Sequence, residues 1–323
     1  MNVIIAIDSL KESGYILDDL SGAGLPPDTS FLIVSATDID ALPQDSESAI
    51  EEMLMPDSQS WQREISPEER TYLATMLENA RSYSLQKEAE MTENATAAAA
   101  ELQQRFPGAA VEYKVIMGSP FEAIAAGVKQ TNADLIILGS QNASTLTRFF
   151  LGSVSQKVLN FATRPVRIAR AQAKRNKTVP RLMIAFDGSP DSRRAVTAVA
   201  RRAWPAGTQS DVITVDEPRA AGSFLRSLLG PTDQSAGDHA DSIQMVHKLA
   251  NEAVEQLTSA GLVARHHNFT GDPKKILLEQ AEQQGTDVIF LGAKGHQNTT
   301  VSTLGAVATA LATRAHCSME VIR

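Results

Sequence analysis

Residues 117–140, MGSPFEAIAAGVKQTNADLIILGS, are written a second time at residues 270–293 as TGDPKKILLEQAEQQGTDVIFLGA. The separation is 153 residues without a gap: Gly118 falls on Gly271, Pro120 on Pro273, Asp134 on Asp287, Gly139 on Gly292 and, further on, Gly152 on Gly305. A register this long marks an internal repeat. Upstream, NVIIAIDSLKES (2–13) resembles RLMIAFDGSPDS (181–192) and sets Asp8 against Asp187, 179 residues apart. Asp8 to Gly118 is 110 residues and Asp187 to Gly271 is 84, so the first copy carries an insertion of 26.

The stretch AQAKRNKTVP (171–180) between the copies is polar, basic and closed by proline, the composition of a linker. The expected domains are therefore 1–170, containing the insertion, and 181–323. The total of 323 residues agrees with two domains of ordinary size.

Within each copy, short Val- and Ile-rich runs alternate with segments of helical period, the pattern of a parallel sheet covered by helices on both faces. In the second copy the expected strands are 182–186, 211–215, 263–269, 288–291 and 319–322, joined by four helical connections. Asp272 with Pro273 reads as an N-cap followed by the first helical residue, and Ser119 with Pro120 repeats that device. Ser66-Pro67-Glu68-Glu69 has capping-box spacing before a long helical stretch ending at Pro107-Gly108, so the insertion is expected to lengthen one helix.

Composition narrows the functions. A net charge of −8 opposes a general binder of nucleic-acid backbones. No stretch approaches the ~18 apolar residues of a membrane span. The N-terminus has no signal-peptide pattern, and a single cysteine, Cys317, sits among apolar residues as a small buried thiol would. A cytoplasmic location is the simplest expectation.

The segment VIFLGAKGHQNTTVSTLGAV (288–307) places Gly292, Gly295 and Gly305 behind a strand. Gly292 is expected at the carboxyl end of the sheet, where open α/β folds bind ligands, and a helix starting near Gly305 directs its first N–H groups at the loop. Two readings stay open: the glycines let a phosphate approach the backbone, or they relieve turn strain and allow tight helix packing.

Three landmarks occur in order in both copies: a first strand ending in Asp8 or Asp187, a Gly-x-Pro before the third helix, and a G-2x-G-9x-G-Ser/Thr loop. On these residues both copies resemble the universal stress protein family, over nearly the whole chain outside the linker and insertion. The resemblance implies two tandem Rossmann-like α/β domains, each a five-stranded parallel sheet flanked by helices. It also implies ATP binding, or AMP or ADP in its place, with or without Mg. In the second copy the implied contacts are Asp187 near ribose and phosphates, Thr214 and Val215 near adenine, and Gly292, Gly295, Gly305, Ala306 and Val307 around the phosphates; beside them Lys294 carries a charge that could offset phosphate. The matching positions in the first are Asp8, Ala36, Thr37, Gly139, Asn142, Gly152, Ser153 and Val154. Asn142 replaces the second loop glycine in one copy, and Ala306 the hydroxyl residue in the other; the second site ranks first. The two copies are further expected to pair through RPVRIA and SMEVIR as an intramolecular pseudo-dimer, while association of two chains is left open.

Other residues invite a role less strongly. His239 and His247 are eight apart, and His266-His267 are adjacent, so neither pair has the i, i+4 spacing of a helical metal site. His296 and Arg148 lie where they could reach a phosphate. The acids of TDIDALPQDSESAIEEM (37–53) have no metal-ligand register and read as a solvated segment. No positioned general base and no Gly-Lys-Ser/Thr phosphate loop is found, so any hydrolysis is expected to be slow. The functional expectation is a nucleotide-binding stress-response regulator acting on an unknown protein partner. The alternatives are a scaffold of the same fold without nucleotide, and an ATP-dependent enzyme, for which no catalytic residues are found.

Overall fold

A computed structural model describes residues 1–8, 10–20, 22–37, 50, 51, 54, 66–140, 151–171, 179–217, 234–295 and 304–323, with the backbone alone for 10–13 and 234–242. The first half contains β1 (Asn2–Ile7), α1 (Leu10–Leu20), β2 (Ser30–Thr37), α2 (Pro67–Arg105), β3 (Val111–Met117), α3 (Pro120–Thr131), β4 (Leu135–Gly139), α4 (Ser153–Phe161) and β5 (Val166–Ala169). The second repeats the order with β6 (Arg181–Ala185), α5 (Pro190–Ala200), β7 (Gln209–Asp216), α6 (Gln234–Ser259), β8 (Val263–Thr270), α7 (Pro273–Gln284), β9 (Val288–Gly292), α8 (Ala306–Arg314) and β10 (Ser318–Ile322).

All ten strands form one sheet in the order β3-β2-β1-β4-β5-β10-β9-β6-β7-β8. Every pairing is parallel except the central one, where β5 and β10 run antiparallel. The strands expected to join the two copies do so. The strands near each centre are buried on both faces, which is why β4 (LIILG) and β9 (VIFLG) read as continuous apolar runs instead of alternating ones. In each half the chain builds outward from its first strand to the third and then crosses back, so strand order reverses between β1 and β4 and between β6 and β9.

The repeat extends to single bonds. The N–H of Asn2 donates to Asp134 Oδ2 at 2.8 Å, and the N–H of Arg181 donates to Asp287 Oδ2 at 2.7 Å, each fixing the start of the first strand of its half. One expected correspondence fails. Asp272 caps α7 by accepting from the N–H of Lys274, but Ser119, at the same place before α3, makes no side-chain cap bond. Ser119 holds a ψ of 118°, where the serines that do cap their helices, Ser66 and Ser189, hold 157° and 159°. At α2 the expected capping box is present, with the Glu69 N–H donating to Ser66 Oγ and the Ser66 N–H to Glu69 Oε2. That helix runs 39 residues, about 58 Å, where α6 runs 26.

The two faces of the sheet are built differently at the seam. On one face, α3 and α4 share a single apolar cluster with α7 and α8, from Ile124 and Leu159 through Met319 and Val321 to Leu277 and Leu311. On the other, α1 with α2 and α5 with α6 cover separate clusters. Between these two lies a buried polar group on the seam, Asp19, Arg167, Glu320 and Arg202. Two further arginines cross between halves: Arg170, after β5, donates to the carbonyl of Ala312 in α8, and Arg323, after β10, to that of Leu159 in α4.

Candidate functional site

The strand-order reversals define two crevices at the carboxyl ends of the strands, the general position of ligands in open α/β sheets. In the second half, Asp187 follows β6 and Gly292 ends β9, the two strands on either side of the reversal. Asp187 Oδ1 accepts from the N–H of Ser189 at 3.0 Å, and Ser189 caps α5 by accepting from the N–H of Ser192 at 3.2 Å. The first turn of α5 in turn holds the loop after β9, because the N–H of Lys294 donates to Asp191 Oδ2 at 3.1 Å.

This arrangement explains the glycines. A Cβ on Gly292 would lie 2.5 Å from Asp191 Cβ and 2.9 Å from the backbone of Asp191 and Ser192, so only glycine lets α5 approach β9 so closely. A Cβ on Gly295 would lie 2.6 Å from Asp187 Oδ2. The N–H of Gly305 donates to the carbonyl of Ala293 at 2.8 Å, closing the base of the loop, and a Cβ there would sit 3.2 Å from that oxygen. Gly305 is the N-cap of α8 and has no side chain to cap it, and the first turn, with Ala306 exposed and Val307 half-buried, begins at the loop.

Asp187, Gly292, Lys294, Gly295, Gly305, Ala306 and Val307 thus gather around one crevice, with Thr214 and Val215 at the end of the adjoining β7. Thr214 is buried, its hydroxyl bonded to Asn268 Oδ1 and His266 Nε2, both at 2.9 Å. His296 lies outside the described residues, as do Asn142, Arg148 and most of the acidic stretch 37–53.

The first half places Asp8, Ala36, Thr37 and Gly139 at the ends of β1, β2 and β4, and Gly152, Ser153 and Val154 at the start of α4. Gly152 is the N-cap, again without a side-chain cap bond. Here Ser155 Oγ donates to the carbonyl of Gly139 at 3.1 Å, and the Tyr15 hydroxyl donates to that of Ser140 at 2.7 Å.

Sequence spacing missed one group. His247 of α6 and His266 of β8 stack edge to face, ring centroids 5.8 Å apart, beside Asp216 at the end of β7. Burial, then His247 and His267, pull the His266 pKa down against the opposing pull of Asp216. Helical spacing could not find a pair that one helix and one strand supply. Among the described residues no three His, Cys, Asp or Glu side chains are grouped to hold a metal ion. Cys317 is buried and its thiol pushed up to about 12 by desolvation, so it is not a nucleophile near neutral pH.

The profile of the universal stress protein family matches residues 2–170 and, separately, residues 178–323. The chain belongs to the universal stress protein family. No curated protein matches this universal stress protein. Among solved structures, a universal stress protein from Archaeoglobus fulgidus DSM 4304 covers 100% of the chain and 98% of its own length, at 19% identity and a TM-score of 0.58. A functionally unknown protein from Pseudomonas aeruginosa PAO1 covers 99% and 92%, at 13% identity and a TM-score of 0.55. Both show that the tandem fold extends over the whole chain. A universal stress protein in complex with cAMP is also similar, at 19% identity over 45% of the chain and 97% of its own, with a TM-score of 0.32. Among the described residues, no helix of this universal stress protein is long and apolar enough to cross a membrane.

Proposed function

We propose that this universal stress protein binds an adenine nucleotide, ATP or its AMP or ADP counterparts, in the crevice of the second half, and responds by altering its conformation or its affinity for a protein partner. The observation that carries the reading is the meeting of Asp187 with Gly295 at the strand-order reversal, beside a helix whose N-cap, Gly305, has no side chain to occupy its first turn. A carboxylate at the end of the first strand suits ribose hydroxyls, and the N–H groups at a helix start suit phosphate. In this reading Thr214 and Val215 border the base, Lys294 adds positive charge, and Mg, where present, accompanies the phosphates. The first half offers Asp8, Gly139 and the start of α4 as a weaker second site. The working units are 1–170 and 181–323 joined by 171–180, acting in the cytoplasm as a regulator without appreciable catalysis.

A second reading has its own observation. Gly292 is already required by the approach of Asp191 and Ser192, and a Cβ on Gly305 would crowd the Ala293 carbonyl at 3.2 Å, so these glycines serve packing whether or not a nucleotide binds. A scaffold without nucleotide would keep them. The two readings separate by releasing nucleotide from freshly purified protein and titrating the emptied protein with ATP calorimetrically. Binding that Gly295→Asp abolishes and Gly139→Asp spares is the expected result; no binding at millimolar ATP would leave the scaffold.

A further inference from the structure

The seam between the halves carries a property that does not depend on nucleotide. Arg167 and Glu320 are 153 residues apart and so occupy one and the same position of the repeat, yet their charges are opposite. The antiparallel register sets them directly across from each other, on the local two-fold axis of the pseudo-dimer. Residues on such an axis face their own counterparts. Two copies of the first half paired this way would put arginine against arginine, and two copies of the second glutamate against glutamate.

Both side chains are fully buried. Arg167 grips Asp19 through Nε and Nη2 at 2.6 and 3.0 Å and reaches Glu320 at 3.4 Å. Glu320 receives both Nη groups of Arg202, whose Nη1 also donates to the carbonyl of Ala23 at 3.0 Å. Burial opposes the charge on Arg167, but Asp19 and then Glu320 outweigh it and hold the pKa above its ordinary value. The group alternates in sign, and none of it is mirrored: the repeat counterparts of Asp19 and Arg202, 179 residues away, are Ala198 and Ala23.

A second, steric asymmetry lies beside it. Gly24 and Ala203 share a repeat position, as do Leu25 and Trp204. The Trp204 ring lies so near Gly24 that a Cβ there would be 2.7 Å away, and the N–H of Ala203 donates to the Gly24 carbonyl at 2.9 Å. In a pair of second halves Trp204 would meet Ala203, which has that Cβ.

We infer that the seam is a recognition surface coded for unlike halves: each half accepts the other as partner and rejects a copy of itself. Charge and shape supply the code together, positive with negative at Arg167 and Glu320, indole with glycine at Trp204 and Gly24. Repulsive elements of this kind give specificity beyond what attraction alone provides. The parts that are mirrored, Arg170 on Ala312 and Arg323 on Leu159, hold the seam but do not discriminate.

The test places a specific protease site within residues 171–180 of the full chain and cleaves the native protein. The cleaved protein is incubated in mild urea to allow the halves to exchange, and the complexes are weighed by native mass spectrometry, the halves differing in mass. Random pairing gives equal amounts of unlike and like pairs; the expected result is at least a tenfold excess of the unlike pair. Glu320→Arg is expected to remove that complex. Should this variant fail to fold, Glu320→Gln and Gly24→Ala serve instead, each expected to lower the excess severalfold. Random pairing in the unaltered protein, separation into single halves, or an excess unchanged in both Glu320→Gln and Gly24→Ala would overturn the inference.

Discussion

The indole of Trp204 rests on the backbone of Gly24, which holds a φ of +62° and leaves no room for a Cβ. Trp204 is fixed from behind by its Nε1 bond to the Val199 carbonyl at 2.7 Å and by an edge-to-face contact with Phe290. Gly24→Ala therefore combines a left-handed backbone with a clash against a ring that cannot retreat. It should destabilise the protein by roughly 2–3 kcal/mol, seen as a lower urea midpoint and an altered Trp204 fluorescence maximum.

Removing one member of the buried charge group should cost more than removing an exposed pair. Glu320→Ala leaves Arg202 and Arg167 facing one another without their shared carboxylate, and breaking a buried pair this way costs about 3–5 kcal/mol. Lys275→Ala, which breaks an exposed pair with Glu279, should change stability by less than about 1 kcal/mol. Thermal unfolding of the two variants side by side checks the contrast.

The loop glycines should differ in what they tolerate. At Gly292 an added Cβ meets backbone of α5, which must move as a whole; at Gly295, among the described residues, it meets the end of one side chain, the Asp187 carboxylate, and no backbone. Gly292→Ala is expected to destabilise by about 2–4 kcal/mol and Gly295→Ala by less than about 1 kcal/mol. Chemical denaturation of both variants in the absence of nucleotide would reverse this view if Gly295→Ala proved the more damaging.

Stability should fall in mild acid. The folded His266 binds its proton less readily than the unfolded one, since burial, His247 and His267 all oppose the charge. Its contribution is complete above the ordinary value near 6.5 and is lost as pH falls from there toward the lower folded value. The neighbours that share this environment are Asp216 and Thr214 of β7, Asn251 and His247 of α6, and Asn268 and His267 of β8. His266→Gln should flatten the fall in Tm between about pH 6.5 and 5.

Cys317 should resist a soluble disulfide reagent at pH 8 until the protein unfolds, the thiol being buried and held protonated. Rapid modification of the native protein would mean that β10 opens readily.

The repeat made most of the architecture legible. Asp134 and Asp287 stand at equal places in the sequence and make equal bonds, and the apolar runs of β4 and β9 announce strands covered on both sides. The charged seam was not legible for a physical reason. Arg167 in RPVRIA and Glu320 in SMEVIR each look misplaced in a buried strand, and only an antiparallel register across 153 residues turns two anomalies into one pair. In the crevice, glycine spacing foretold a close approach at Gly292, but the nearest neighbour is the chain itself, at Asp191 and Ser192. The histidine at 266 escaped because its companion comes from another element.

The antiparallel join of β5 and β10 points the carboxyl ends of the two half-sheets in opposite directions, so the two crevices open at opposite ends of the molecule. Yet α8 begins at one crevice and is held near its far end by Arg170, which follows β5 toward the other, while Arg323 holds α4 in the same manner. Each of these helices thus starts at one crevice and is bonded near its other end to an arginine at the opposite pole, in two equivalent arrangements of opposite sense.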